Sequence, residues 1–256
     1  MKFSVKAPLG IASLAAALTV VPSLASASSI TYAGSSGSLS ASVVFATSGT
    51  NLVVTLTNTS SADAMAPGDI LTGVFFDLSG VGTLGKVSAI LAAGSVVNGN
   101  GGLTDPGNSV GGEWAYATGI NGPGSATEGI SSSGLGLFGP GDLFGGTNLQ
   151  GPVDPDGVQY GITSAGDNPA TGNGGISGQG LIQSSVVFTL SGLPVGFDPS
   201  ASGAISHVSF QYGTALSEIN IPGHTNQTQS VVPEPATLAL FGTGLTVLAA
   251  RLRRRR

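Results

Sequence analysis

The chain contains no cysteine. Disulfide staples, thiol nucleophiles and thiolate metal sites are therefore excluded, and the fold must be held by its own core. Basic residues are nearly as scarce away from the termini. Between residues 28 and 230 only Lys86 is basic, against twelve Asp and Glu, so this part carries a net charge near −11 although the whole chain sums to −5. Nothing here can neutralise phosphates, which disfavours nucleic-acid binding. Only two histidines occur, His207 and His224, and there is no Gly-x-Ser-x-Gly elbow, so serine hydrolysis lacks both a ready base and its turn. Helix-period apolar patterns are missing from the central region, and no internal repeat of fixed period is present.

What the chain has instead is glycine, 42 residues of it, together with many Ser, Thr and Asn. This composition points to a loop-rich extracellular β protein. Leu39, Ala41, Val43 and Phe45 alternate with smaller residues, as do Leu52, Val54 and Leu56 after Thr47-Ser48-Gly49-Thr50, which predicts a hairpin. Ile70 to Leu78 is expected to place Ile70, Thr72, Val74, Phe76 and Leu78 on one face. Val87, Ala89 and Leu91 suggest a further strand. Leu181 to Leu190 reads as one strand with Ile182, Val186, Phe188 and Leu190 together, and Ala204 to Tyr212 as another with Val208, Phe210 and Tyr212 opposite Ile205, His207, Ser209 and Gln211. Between Asn98 and Gln179 short strands joined by long Gly-rich loops are expected. The fold class is therefore all-β: an antiparallel β-sandwich, with a jelly roll as one form of it.

Both ends carry targeting patterns. Lys2 and Lys6 precede an apolar stretch from Ala7 to Leu24, and Ala25-Ser26-Ala27 supplies the small residues signal peptidase needs, so residues 1–27 read as a signal peptide cut after Ala27. The exported domain then spans 28–222, and 223–230 forms a polar linker. At the C-terminus, Val232-Pro233-Glu234-Pro235 is followed by an uncharged run from Ala236 to Ala250 and then by Arg251, Leu252, Arg253, Arg254, Arg255 and Arg256. The prolines place the helix start after Pro235. Fifteen residues cover roughly 23 Å against a hydrocarbon core of roughly 30 Å, and snorkelling arginines can make up part of the difference. The arginines should stay cytoplasmic and everything before Pro233 should lie outside.

This tail, residues 231–256, resembles the PEP-CTERM sorting signal of Gram-negative bacterial surface proteins, on Val232, Pro233, Glu234, Pro235, Arg251 and Arg253 to Arg256. The resemblance implies an exosortase as processing partner, with cleavage near the Pro-Glu-Pro, transient inner-membrane anchorage, delivery to the cell surface or exterior, and a link with exopolysaccharide and biofilm.

Candidate chemistry in the domain is thin, and neither a catalytic residue nor a cofactor is assigned. Asp154-Pro155-Asp156-Gly157, with Asp142 before and Asp167-Asn168 after, puts carboxylates into one loop-rich region. Asp154, Asp156 and Asp167 are candidate ligands of a structural calcium, which takes six to eight oxygens, although the spacing departs from an EF-hand at Val158 and Ala165. As paired carboxylates they are also the basis for a glycoside hydrolase reading, while aspartates in turns are the plainer explanation. Trp114 and Tyr116 are candidate sugar-stacking residues for a carbohydrate-binding module, with core packing as the alternative. Gly134-Leu135-Gly136-Leu137-Phe138-Gly139 spells a dinucleotide motif, but Pro140-Gly141 follows where a helix would have to begin. The favoured reading is a non-catalytic surface or matrix protein.

Overall fold

A computed structural model describes residues 28–99, 108–139, 148–150, 155 and 157–225. The signal peptide with Ala25 and Ala27, the aspartates Asp142, Asp154 and Asp156, and the sorting segment lie outside the described residues. Fourteen strands form two sheets, with only three-residue 3-10 turns as helical structure among the described residues.

The first sheet begins as a meander of β1 (Ser29–Ser36), β2 (Leu39–Ser48) and β3 (Asn51–Asn58). Alternating apolar residues build these strands: Ala41, Val43 and Phe45 of β2 and Leu52, Val54 and Leu56 of β3 are all fully buried. Ser48 pairs with Asn51 across the tight turn, where Gly49 sits at φ 61°, a region that favours glycine. The expected hairpin is thus present. The sheet is completed by β5 (Gly85–Leu91), β11 (Ser185–Ser191) and β14 (His224–Thr225), in the order β14-β1-β2-β3-β11-β5, antiparallel throughout.

The second sheet is mixed. β4 (Leu71–Leu78) lies at its centre, and the path runs β13 (Asn220–Pro222), β12 (Ile205–Tyr212), β4, β9 (Ile162–Thr163), β10 (Leu181–Gln183), β6 (Val96–Asn98). β8 (Glu128–Ser131) pairs with β4 and with β7 (Ala115–Thr118), and β9 with β10 is a parallel pair. The sequence-adjacent meander and the parallel pair depart from the paired Greek keys of a jelly roll.

The two sheets share one core, which makes the architecture sandwich-like. Phe45 of β2 meets Phe76 of β4 edge-on at 5.1 Å, and Trp114 packs on Phe188 of β11 at 4.9 Å. Hydroxyls stitch the layers at their margins: Tyr32 donates to the Ile205 carbonyl at 2.7 Å and Tyr212 to the Ser40 carbonyl at 2.8 Å. Burial raises both phenols, Tyr212 to about 12, so they are donors at any physiological pH.

Three expectations about strand faces need correction, each for a local reason. β4 is buried on both faces, because Phe75 packs outward under Ala115, Ala126, Leu135 and Phe138. Leu181 to Leu190 is two strands: Ser184, at φ 92°, passes the chain from the second sheet to the first. Ile182, Val186, Phe188 and Leu190 still meet, because that core lies between the sheets. In β12 a bulge at His207, at φ 50°, adds a residue to the ladder with β4 and brings Ile205 to the same side as Val208, Phe210 and Tyr212. The ordered fold also runs past residue 222, since His224 and Thr225 pair with Ala33 and Tyr32.

The β12–β13 loop is held by a buried polar side chain and a carboxylate. Fully buried Gln211 donates from Nε2 to the carbonyls of Tyr212 at 2.8 Å and Ala215 at 3.0 Å, and Glu218 accepts the amides of Thr214 and Ala215 at 2.6 and 2.8 Å. Gly213 at φ 76° admits no Cβ, which would fall 2.3 Å from the Glu218 carboxyl carbon. Gly213→Ala is expected to destabilise by about 1–2 kcal/mol through backbone strain and loss of this clasp, seen as a lowered urea midpoint at unchanged slope. An unchanged midpoint would show that the loop does not constrain the sheet.

Candidate functional site

Thr225, the last described residue, lies on the outermost strand of the first sheet. The residues expected to carry sorting chemistry, Val232 to Arg256, follow from there and lie outside the described residues, as does the expected membrane span. Among the described residues no helix is long and apolar enough to cross a membrane.

Of the three candidate calcium ligands, Asp167 is described. It is buried in the turn after β9, where Oδ1 accepts the Ala64 amide at 2.8 Å and its carbonyl oxygen accepts Gln183 Nε2 at 2.9 Å. The carboxylate thus ties the segment before β4 to the one after β9, an Asp turn role. It borders a hollow of about 270 Å³ that is open to solvent and lined also by Asn98, Thr163, Pro169 and Leu181. Among the described residues no three His, Asp or Glu side chains are grouped to hold a metal.

Trp114 and Tyr116 are both interior. Trp114 has no exposed surface, packs on Phe188 and leaves Nε1 without a hydrogen-bond partner; Tyr116 retains 4% of its surface. Stacking on a sugar requires a free ring face, and neither residue offers one in this structure.

An assembly of titratable side chains among the described residues was not legible in the sequence. At one end of the second sheet, β4 supplies Asp77, β12 supplies His207 and β8 supplies Glu128. The β12 bulge turns His207 so that Nδ1 lies 2.5 Å from Asp77 Oδ2, while Asp77 Oδ1 accepts the Thr127 amide at 2.6 Å and the Thr127 hydroxyl at 2.8 Å. Buried Glu128 accepts the Tyr116 hydroxyl on Oε2. The two carboxyls are pushed apart. For Asp77, partial burial would raise the group, but hydrogen bonds from His207 and Thr127 outweigh it and hold it low. Glu128 is raised, first by burial and further by the charge of Asp77, against the lowering effect of Tyr116. Neighbouring carboxyls separated in this way are a pattern of acid–base sites. Among the described residues no hydroxyl is bonded to His207, and what the arrangement does is orient an imidazole against a carboxylate. Sequence gives no hint of the pair, since Asp77 and His207 are 130 positions apart and meet only through the β4–β12 register.

The linkage sign for Asp77 is clear. A carboxyl lowered by folding stabilises the fold above its unfolded pKa, and that contribution is lost as pH falls through its lower folded pKa. Asp77→Asn should therefore flatten the acid limb of the stability curve while changing neutral-pH stability by less than about 1 kcal/mol, because the pair is solvent-screened. Thermal melts between pH 7 and pH 3 check this, and an unaltered acid limb would mean that other carboxylates dominate acid unfolding.

Comparison with known proteins bears on the tail. Residues 231–256 match the family model of the PEP-CTERM protein-sorting motif. No curated protein and no solved structure matches the chain. The motif supports an exported surface protein with an exosortase as its processing partner.

Proposed function

We propose that this chain is a non-catalytic surface or extracellular-matrix protein of a Gram-negative bacterium, exported by residues 1–27, held in the inner membrane by the apolar run 236–250, and cut by an exosortase near Pro233-Glu234-Pro235. The observation that carries this reading is the sorting motif at residues 231–256. The charge distribution agrees with it: the arginine block follows the apolar run, and the portion destined for the exterior is acidic. In that setting the domain would act in the exopolysaccharide matrix, where an acidic, lysine-poor surface stays solvated. The absence of cysteine and the presence of only two histidines support a role without turnover.

Intact mass spectrometry of protein from the cell exterior, in cells with and without the exosortase, tests this. The expected result is a mass that starts at Ser28 and ends near Pro233 only when the enzyme is present. A mass retaining the arginines in both strains would reduce the tail to a plain membrane anchor and remove the reading's main support.

A further inference from the structure

The first sheet is free of acid. Its six strands contain neither Asp nor Glu, whereas every acidic residue described lies in a loop, in a turn or on the second sheet. The outward side of this sheet is an array dominated by small and β-branched residues. One row runs Thr31, Val44, Thr55, Val187 and Ile90 straight across five strands, and the next consists of Ala, Val, Thr and Ser. These side chains are partly exposed, Ile90 by 40%. The corresponding side of the second sheet is by contrast packed beneath Ala115, Ala126, Leu135 and Phe138.

We propose that the outer face of the first sheet is a self-association surface, on which a second copy of this chain stacks sheet to sheet about a two-fold axis. The charge distribution selects this occupant. Two domains near −11 each repel through any surface that bears their carboxylates, and this face lets them meet without opposing one strand carboxylate with another. Val, Ile and Thr on a pleated surface can interdigitate at the roughly 10 Å spacing of stacked sheets. Five strands about 4.8 Å apart and about eight residues long give roughly 650 Å² per partner, slightly under the roughly 800 Å² of a standard interface, which fits a reversible dimer. A glycan is the poorer occupant, since the face has no aromatic side chain, and a nucleic acid would need a cluster of cations, whereas Lys86 is the one Lys or Arg in these six strands.

The cysteine-free background makes the test direct. In the full chain, expressed in its own exporting cell, Val44→Cys, Thr55→Cys and Val187→Cys are made singly, with Val195→Cys as control on a loop residue that is 94% exposed. On mild oxidation at least one face position is expected to give a disulfide-linked dimer while Val195→Cys stays monomeric. Equal cross-linking of the control, or none at all three face positions, overturns the proposal. A face cysteine protected from maleimide by the cell's own polysaccharide, with no dimer formed, overturns it in favour of a glycan. Thr55→Asp sets one carboxylate near its own symmetry copy, and in sedimentation of the full chain in detergent it should weaken self-association at least about tenfold with the melting temperature retained. An unaltered dimer would overturn the proposal, and if that variant fails to fold the cysteine panel decides alone.

Discussion

Trp114→Ala should cost the domain about 3–5 kcal/mol, a large part of the roughly 5–15 kcal/mol available to a protein of this size. The ring has no exposed surface and lies against Phe188 in the core between the sheets, so truncation leaves a cavity the strands cannot close. For a domain of nearly 200 residues this corresponds to a fall in Tm of roughly 6–20 °C. Trp114→Phe should be far milder, because Nε1 has no hydrogen-bond partner to lose and only volume is removed. Thermal melts with intrinsic fluorescence or circular dichroism check both. The same pair of variants separates two roles for this residue. A ligand-stacking tryptophan would lose polysaccharide affinity on truncation while the fold survives; a core tryptophan loses the fold first. A Trp114→Ala protein that melts like the parent would return Trp114 to the ligand-binding reading.

This contrast shows where the sequence was readable. The β2–β3 hairpin could be read because period-two alternation and a two-residue glycine turn specify the same register independently. The tail could be read because its three parts stand in fixed order, and the family match falls on those residues. Trp114 and Tyr116 looked like ligand residues because they interrupt a glycine-rich stretch. The same interruption serves as an anchor, seating that stretch on the core beside β4 and β11, and local pattern does not distinguish the two. The bulge at His207 was invisible for a related reason. A single left-handed residue shifts Ile205 to the other face without changing the alternation around it, so the apolar set appears split in sequence and is united in space. The Asp77–Thr127–His207 contact depends on three strands of the second sheet meeting in a particular order. No short-range signal encodes that.

The buried Tyr116–Glu128 pair gives two substitutions of opposite sign. Tyr116→Phe removes the donor to Glu128 Oε2 and leaves a buried carboxyl without it, so a loss of about 2–3 kcal/mol at neutral pH is expected. Glu128→Gln keeps an amide oxygen to accept that hydroxyl and removes the charge, and it should be neutral or stabilising at neutral pH. The linkage follows from the raised carboxyl. A group whose pKa rises on folding holds more protons in the native state, so its contribution is fully present below the unfolded pKa and is lost as pH climbs through the folded pKa. The parent should therefore lose stability on this account above the ordinary carboxylate range, whereas Glu128→Gln should not. Asp77, lowered by its hydrogen bonds, acts in the opposite direction at lower pH. Denaturant titrations of parent, Tyr116→Phe and Glu128→Gln between pH 4 and pH 8 check this. If Glu128→Gln is as damaging as Tyr116→Phe at every pH, the ionised carboxylate is a net stabiliser of this end of the sheet, and the balance between burial and hydrogen bonding argued here is reversed.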